Sequence, residues 1–239
     1  MSSGIRSNHV WLVLAYTVVV LLVDALAANQ VSAGIDWGIF SWRASGALAQ
    51  FDYFKFVFWL LVPITWCVLT HRYAVRQESA AESSLRFDPK YFSFAPCKRG
   101  DYILLAILVV GGMLSVLAIL YVPALREYYP SASGMTAQEK FRLLQVQLLW
   151  NVSWLFGWEF LHRYFLLRPV AERWPKFGWV LVPIFEAIYH LQKHPLEMAG
   201  MFAVGVLFTW WAVQRRNILL PLIVHASVEI GLMAFLVLV

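Results

Sequence analysis

Long apolar runs separated by short polar stretches set the pattern of this chain. The hydrocarbon core of a bilayer takes about 20 mostly apolar residues in a helix. Seven runs come near that length: 10–27, 51–70, 102–122, 143–167, 177–191, 198–213 and 218–239. They are continuous rather than alternating at period two, which argues against an outer-membrane-type barrel. The fifth and sixth are short, so tilt, a kink at Pro183 or a re-entrant turn near Pro195 is expected. The pattern therefore predicts an all-α protein, a polytopic transmembrane helical bundle of about seven spans. The fourth span has a clear start, because Thr136 and Glu139 have the spacing of a capping box. The first run, with Arg6 before it and Ala25-Leu26-Ala27 at its end, imitates a signal peptide. It is long for that role and reads as an uncleaved anchor.

Composition supports this class. Of 239 residues, 61% are hydrophobic and 14% charged, and the mean hydropathy is +0.65. A soluble domain carries about 25% charged residues, and this chain has too few polar side chains to cover a water-facing surface. The net charge of +5 does not point to nucleic acid, since the basic residues fall mainly between the apolar runs. Twelve Lys and Arg sit on the side of the N-terminus and six on the other, with Arg163 left inside a span. The positive-inside rule then expects a cytoplasmic N-terminus. Cys67 and Cys97 form no CxxC pair or disulfide framework, so thiol chemistry is not indicated. No internal repeat or low-complexity segment is visible. The chain divides into residues 1–142, N-terminal helices and polar loops, and 143–239, where the candidate chemistry lies.

Charged side chains in mid-membrane cost about 2.5–3.5 kcal/mol each on insertion scales, and they usually face a bundle interior. Here they come in pairs four residues apart: Glu159 with Arg163, Glu186 with His190, and His225 with Glu229. That spacing puts each pair on one helical face. Glu159 and His225 each lie nine residues, about 13 Å of helix, from the basic markers Arg168 and Arg216, and His190 lies about 21 Å from Lys176. Three polar faces at compatible depth predict a shared wet cavity. A carboxylate there can act as general base towards water, and histidines can orient that water, move protons or donate to an oxyanion. There is no HExxH motif, and Ser227 reads as a packing hydroxyl rather than a nucleophile.

The stretch Gly157-Trp158-Glu159-Phe160-Leu161-His162-Arg163, then His190, then Leu220-Pro221-Leu222-Ile223-Val224-His225-Ala226-Ser227-Val228-Glu229, resembles the CPBP family of intramembrane proteases. That family includes the type II CAAX prenyl endopeptidases and bacteriocin-processing or self-immunity proteins. The resemblance covers about 143–229. It implies a peptidase that cuts a membrane-anchored or membrane-proximal peptide, with the lipid bilayer as its setting. The family pattern is E-E-x-x-x-R, F-x-x-x-H and H-x-x-x-N. Glu159 and Arg163 match the second Glu and the Arg, while Trp158 stands at the first Glu. Phe185 is five residues before His190, with Glu186 at the family's Phe position, and Glu229 replaces Asn.

The resemblance suggests Glu159 as general base, His190 as its partner on the water, and His225 as oxyanion donor or second base. Arg163 would orient Glu159, Glu186 would tune His190 or supply a rival carboxylate, and Glu229 would orient His225. No metal is expected, with zinc as the alternative. The candidates fall on three separate helices, and Arg163 would oppose a dication. Plainer accounts exist for each pair, as a buried ion pair or an interhelical polar contact. Two further functions stay open: a non-catalytic immunity or scaffold protein, which Trp158 favours, and a proton-coupled transporter, which the lack of an inverted repeat disfavours. His162 and His194 are expected at the interface, Asp24 near a membrane edge, and the stripe Trp150, Trp154, Trp158 in packing or an interface belt.

Overall fold

The computed structural model describes residues 3–32, 51–76, 87–94, 97–129, 131–192 and 194–238. Arg43, Arg86 and Lys193, three of the basic residues used for topology, lie outside them. Among the described residues all regular elements are helical, so the protein is all-α. In chain order they are α1 (Ser3–Ser32), α2 (Tyr53–Lys55), α3 (Val62–Arg76), α4 (Arg99–Leu117), α5 (Pro123–Tyr128), α6 (Ala137–Phe160), α7 (Leu167–Arg173), α8 (Leu181–Tyr189), α9 (Pro195–Arg215) and α10 (Leu219–Leu238). A π-helical turn, Phe56–Leu61, joins α2 to α3, and a second, Leu161–Leu166, joins α6 to α7.

Local sequence explains the helix starts. The capping box of α6 is formed: the Glu139 N–H donates to the Thr136 hydroxyl at 3.3 Å, and the Thr136 N–H donates to the Glu139 carboxylate at 2.8 Å. These bonds hold the exposed Glu139 carboxyl below its ordinary pKa. Pro195 opens α9, where a missing N–H costs nothing, and the His194 ring accepts from the Leu196 N–H at 3.2 Å. Arg216 ends α9 in the left-handed region at φ 48°. The next side chain, Asn217, caps α10 by accepting from the N–H groups of Leu219 and Leu220.

Five helical segments are long and apolar enough to cross a membrane: His9–Leu26, Tyr53–His71, Arg99–Leu120, Pro195–Arg215 and Leu219–Leu238. They correspond to the expected spans one, two, three, six and seven. The other two differ for physical reasons. The fourth lies within the continuous helical run from α6 to α7, whose second half buries Glu159 and Arg163 against protein rather than presenting an all-apolar surface. The fifth is the short apolar stretch Gly178–Tyr189, which rises only about 18 Å against a core of about 30 Å. It stops in a 3₁₀ turn, His190–Gln192, and α9 begins at Pro195. On α4 the exposed residues Ile103, Ile107, Val110, Leu114 and Leu117 recur every three or four positions, a stripe suited to lipid.

The bundle has two distinct ends. At one, Arg215 pairs with Asp101 at 2.8 Å, the Ile218 N–H bonds the Tyr91 carbonyl, Trp11 packs on Trp174, and Arg168 lies over Tyr91 and Tyr164. At the other, the Ala132 N–H donates to the Leu236 carbonyl and the Tyr129 hydroxyl to Glu197. The core sits where α6, the 161–166 turn and α7 meet α1 and the 56–61 turn, with Phe160, Leu161, Phe165 and Leu166 fully enclosed. Packing rather than hydrophobic exclusion holds helices together in lipid, so close approach matters. Gly157 allows it: a Cβ there would lie 3.1 Å from the Trp59 Cβ.

Asp24 lies two residues from the end of the apolar segment His9–Leu26. It is fully buried, 3.8 Å from Lys55 Nζ, and accepts a hydrogen bond from the Tyr189 hydroxyl. Lys55 completes the cluster with Asp52 at 3.3 Å. A buried carboxylate requires such partners, and the lysine that supplies one comes from a different apolar run.

Candidate active site

The last turn of α6 and the π turn after it present Trp158, Glu159, His162 and Arg163, all at most 1% exposed. Arg163 Nη1 donates to Glu159 Oε2 at 2.7 Å, one helical turn back. Its Nη2 reaches across to α8, where it lies 2.8 Å from Glu186 Oε1 and donates to Oε2 at 3.1 Å. The planar guanidinium fork suits this double duty. A Cβ on Gly205 would run into the Glu186 carboxylate, and would lie 3.2 Å from the Pro183 Cβ. The glycine therefore lets α9 close over the buried pair.

The second oxygen of Glu159 crosses to α10, with His225 Nδ1 2.7 Å from Glu159 Oε1. Glu159 thus ties two elements together, Arg163 on one oxygen and His225 on the other. The partner is a carboxylate, which assigns the proton to Nδ1 and turns Nε2 away from Glu159. That Nε2 lies 3.9 Å from Glu229 Oε1, one turn along α10. His190, at the end of α8, has its Nδ1 2.7 Å from the Glu186 backbone carbonyl, so Nδ1 again carries the proton. The Glu186 and His190 side chains share a helix, yet the bond runs to the backbone and not to the carboxylate.

A cavity of about 590 Å³ lies against these groups. Its deep part is lined by Asn151, Trp154, Trp158, His190, His225 and Glu229, and it extends to Tyr129, Ala132 and Met135 at the end away from the basic cluster. Glu159, Arg163 and Glu186 sit behind this wall, fully enclosed or 1% exposed. His225 and Glu229 reach it with side chains 10% and 24% exposed. Two carboxylates stand on the wall, Glu229 beside His225 and Glu197, which accepts from the Tyr129 hydroxyl.

The residues singled out in the sequence are therefore found together, in two layers: His190, His225 and Glu229 on the cavity, and Glu159, Arg163 and Glu186 behind them. Other expectations need correction. His162 is not interfacial; it is fully buried, its ring 4.0 Å from that of Trp158 and its Nδ1 3.0 Å from the Trp158 carbonyl. The tryptophan stripe is more than packing, since Trp150, Trp154 and Trp158 all line the cavity, and Trp154 meets the His225 ring edge-on at 5.5 Å. Sequence reasoning also passed over Asn151 and Lys55, which line it too. The i, i+4 recurrence of the tryptophans, with Asn151 beside the first, was the available signal for Asn151. Lys55 had none.

Both cysteines are free thiols, Cys67 buried and Cys97 in the loop before α4. Burial, with Asp101 adding to it, pushes the Cys97 thiol up, which opposes thiolate formation. Ser227 donates to the Ile223 carbonyl of its own helix at 2.7 Å. For zinc the donor set fits poorly. Both oxygens of Glu159 are committed to protein partners, and among the described residues no group of three His, Cys, Asp or Glu is arranged to hold a metal ion.

Residues 142–231 match the family described as type II CAAX prenyl endopeptidase Rce1-like. No curated protein and no solved structure matches the chain. The matched segment contains both layers of the site, while α1 to α5 lie outside it. Over those residues this multi-pass chain of apolar helices is similar to the type II CAAX prenyl endopeptidases, a group within the CPBP intramembrane proteases.

Proposed function

We propose that the protein hydrolyses a peptide bond in a membrane-anchored or membrane-proximal substrate, using a water activated by the Glu and His side chains and no metal. The observation that carries this reading is the 2.7 Å contact between Glu159 and His225 Nδ1, behind a cavity that also receives His190. A carboxylate on Nδ1 fixes the tautomer, leaving Nε2 to accept a hydrogen bond from water. In this reading Glu159 works from behind His225 rather than by touching the water, and Arg163 holds Glu159 in place. His190 lines the same cavity, and with its proton on Nδ1 its Nε2 is an acceptor for a substrate N–H.

An extended peptide enters from the cavity end away from the basic cluster, and Trp154 and Trp158 supply apolar walls for its side chains. Arg168 over Tyr91 and Tyr164, and Arg215 on Asp101, mark the opposite end. With the N-terminus cytoplasmic, as the positive-inside rule expects, the mouth faces away from the cytoplasm. A non-catalytic scaffold is the second reading, favoured by Trp158, which puts an indole on the cavity wall where the family pattern has a Glu.

Purified protein in proteoliposomes, offered a farnesylated CAAX peptide and an unprenylated transmembrane reporter, tests the proposal. New termini found by mass spectrometry on either reporter support the peptidase. Intact reporters with wild-type protein, at every lipid composition tried, favour the scaffold.

A further inference from the structure

The two carboxylates nearest the family motif do not line the cavity. Glu159 has Arg163 on one oxygen and His225 on the other, Glu186 is held by the same arginine, and both are fully enclosed. A water in the cavity does not meet either of them. Glu229 differs on each count. It lines the cavity, its side chain is 24% exposed, and its Oε1 is 3.9 Å from the outward Nε2 of His225. That gap is too long for a direct hydrogen bond. It suits a water in contact with both atoms, since one molecule at ordinary hydrogen-bond distance from each fits a separation of this size.

We propose that Glu229 is a catalytic residue, the carboxylate that takes the proton of the attacking water; this rests on the peptidase reading above. The water gives one hydrogen bond to His225 Nε2 and one to Glu229 Oε1, which leaves an oxygen lone pair for the substrate carbonyl carbon. As the C–O bond forms, the water proton passes to Glu229 and the carbonyl π pair moves to oxygen. The oxyanion then reforms the carbonyl and the C–N bond breaks. Glu229 returns its proton to the leaving nitrogen, so the products are a carboxylic acid and an amine and the residue ends ionised as it began. Glu159 and Arg163 are positioning residues for His225, and Glu229 supplies the carboxylate on the cavity side of that ring.

Single-turnover cleavage of whichever of the two reporters the wild type cuts, with the full chain in proteoliposomes, tests this. Glu229→Gln is expected to lower the cleavage rate about a hundredfold, the low end for a general base, with KM within a few-fold of wild type. Glu229→Ala is expected to regain part of that rate as sodium formate is raised, because a small carboxylate can enter the open cavity at the vacated place. Formate should not rescue Glu159→Gln, whose site is enclosed. Monodisperse elution and an unchanged melting temperature separate a chemical loss from misfolding. Near-wild-type turnover by Glu229→Gln overturns the proposal while leaving the peptidase reading intact, and so does a folded Glu229→Ala that no formate concentration rescues. A wild type that cuts neither reporter overturns both.

Discussion

Arg163 is the residue on which the buried layer depends, because one guanidinium serves Glu159 at 2.7 Å and Glu186 at 2.8 Å. Replacing it with Met leaves two enclosed carboxylates without a counter-charge. Breaking a buried pair from one side costs about 3–5 kcal/mol, so the melting temperature in detergent should fall steeply or the variant should not accumulate. Arg163→Lys keeps the charge, but as a point rather than a fork, and should retain the fold while losing most cleavage. A melting curve for Arg163→Met that overlays the wild type would remove the arginine from this account. The i, i+4 pair Glu159 and Arg163 was legible from spacing alone. The cross-helix bond from Glu159 to His225 was not, because sequence gives the face a residue occupies on its own helix but not the rotation of one helix against another. His162 was misjudged for a related reason: a polar ring next to a charged residue looks interfacial until the Trp158 ring is found packed against it at a tilt.

The elements place these groups through two departures from regular helix. The π turn Leu161–Leu166 follows Glu159 directly and contains Arg163; such turns mark functional sites in many helices. The short α8 ends in a 3₁₀ turn that delivers His190 to the cavity. Gly205 governs the fit of α9 on α8. Gly205→Leu should force the Glu186 carboxylate aside and cost about 1–3 kcal/mol of stability, the range for overpacking a core, together with lost cleavage. Unchanged melting and unchanged turnover would show that α9 does not close on Glu186 as described. Five spans and the α6 capping box were readable from hydropathy and turn chemistry. The π turns were not, since no residue type in Phe56–Leu61 or Leu161–Leu166 announces them. The fifth run looked like a span because hydropathy reports apolar length and is blind to where the chain turns back.

At the scale of the molecule, the site divides one end of the bundle from the other. Arg168 and the Asp101–Arg215 pair mark the first end, and Tyr129, Ala132 and Met135 line the cavity at the second. If positive charge stays in the cytoplasm, that second end lies outside. In a background without Cys67 and Cys97, Ser133→Cys should react with a membrane-impermeant maleimide in intact cells, and Lys176→Cys should react only after lysis. The reverse pattern would invert the protein and put the cavity mouth on the cytoplasmic side. The most direct test of the central claim, a peptidase driven by Glu159 acting through His225, is cleavage of the anchored reporters by wild type, His225→Ala and Glu159→Gln side by side in proteoliposomes. The account predicts cutting by wild type, a loss of about a hundredfold or more with His225→Ala, and a loss of similar order with Glu159→Gln in protein that still elutes as a single folded species. Wild-type rates from a folded His225→Ala would contradict it.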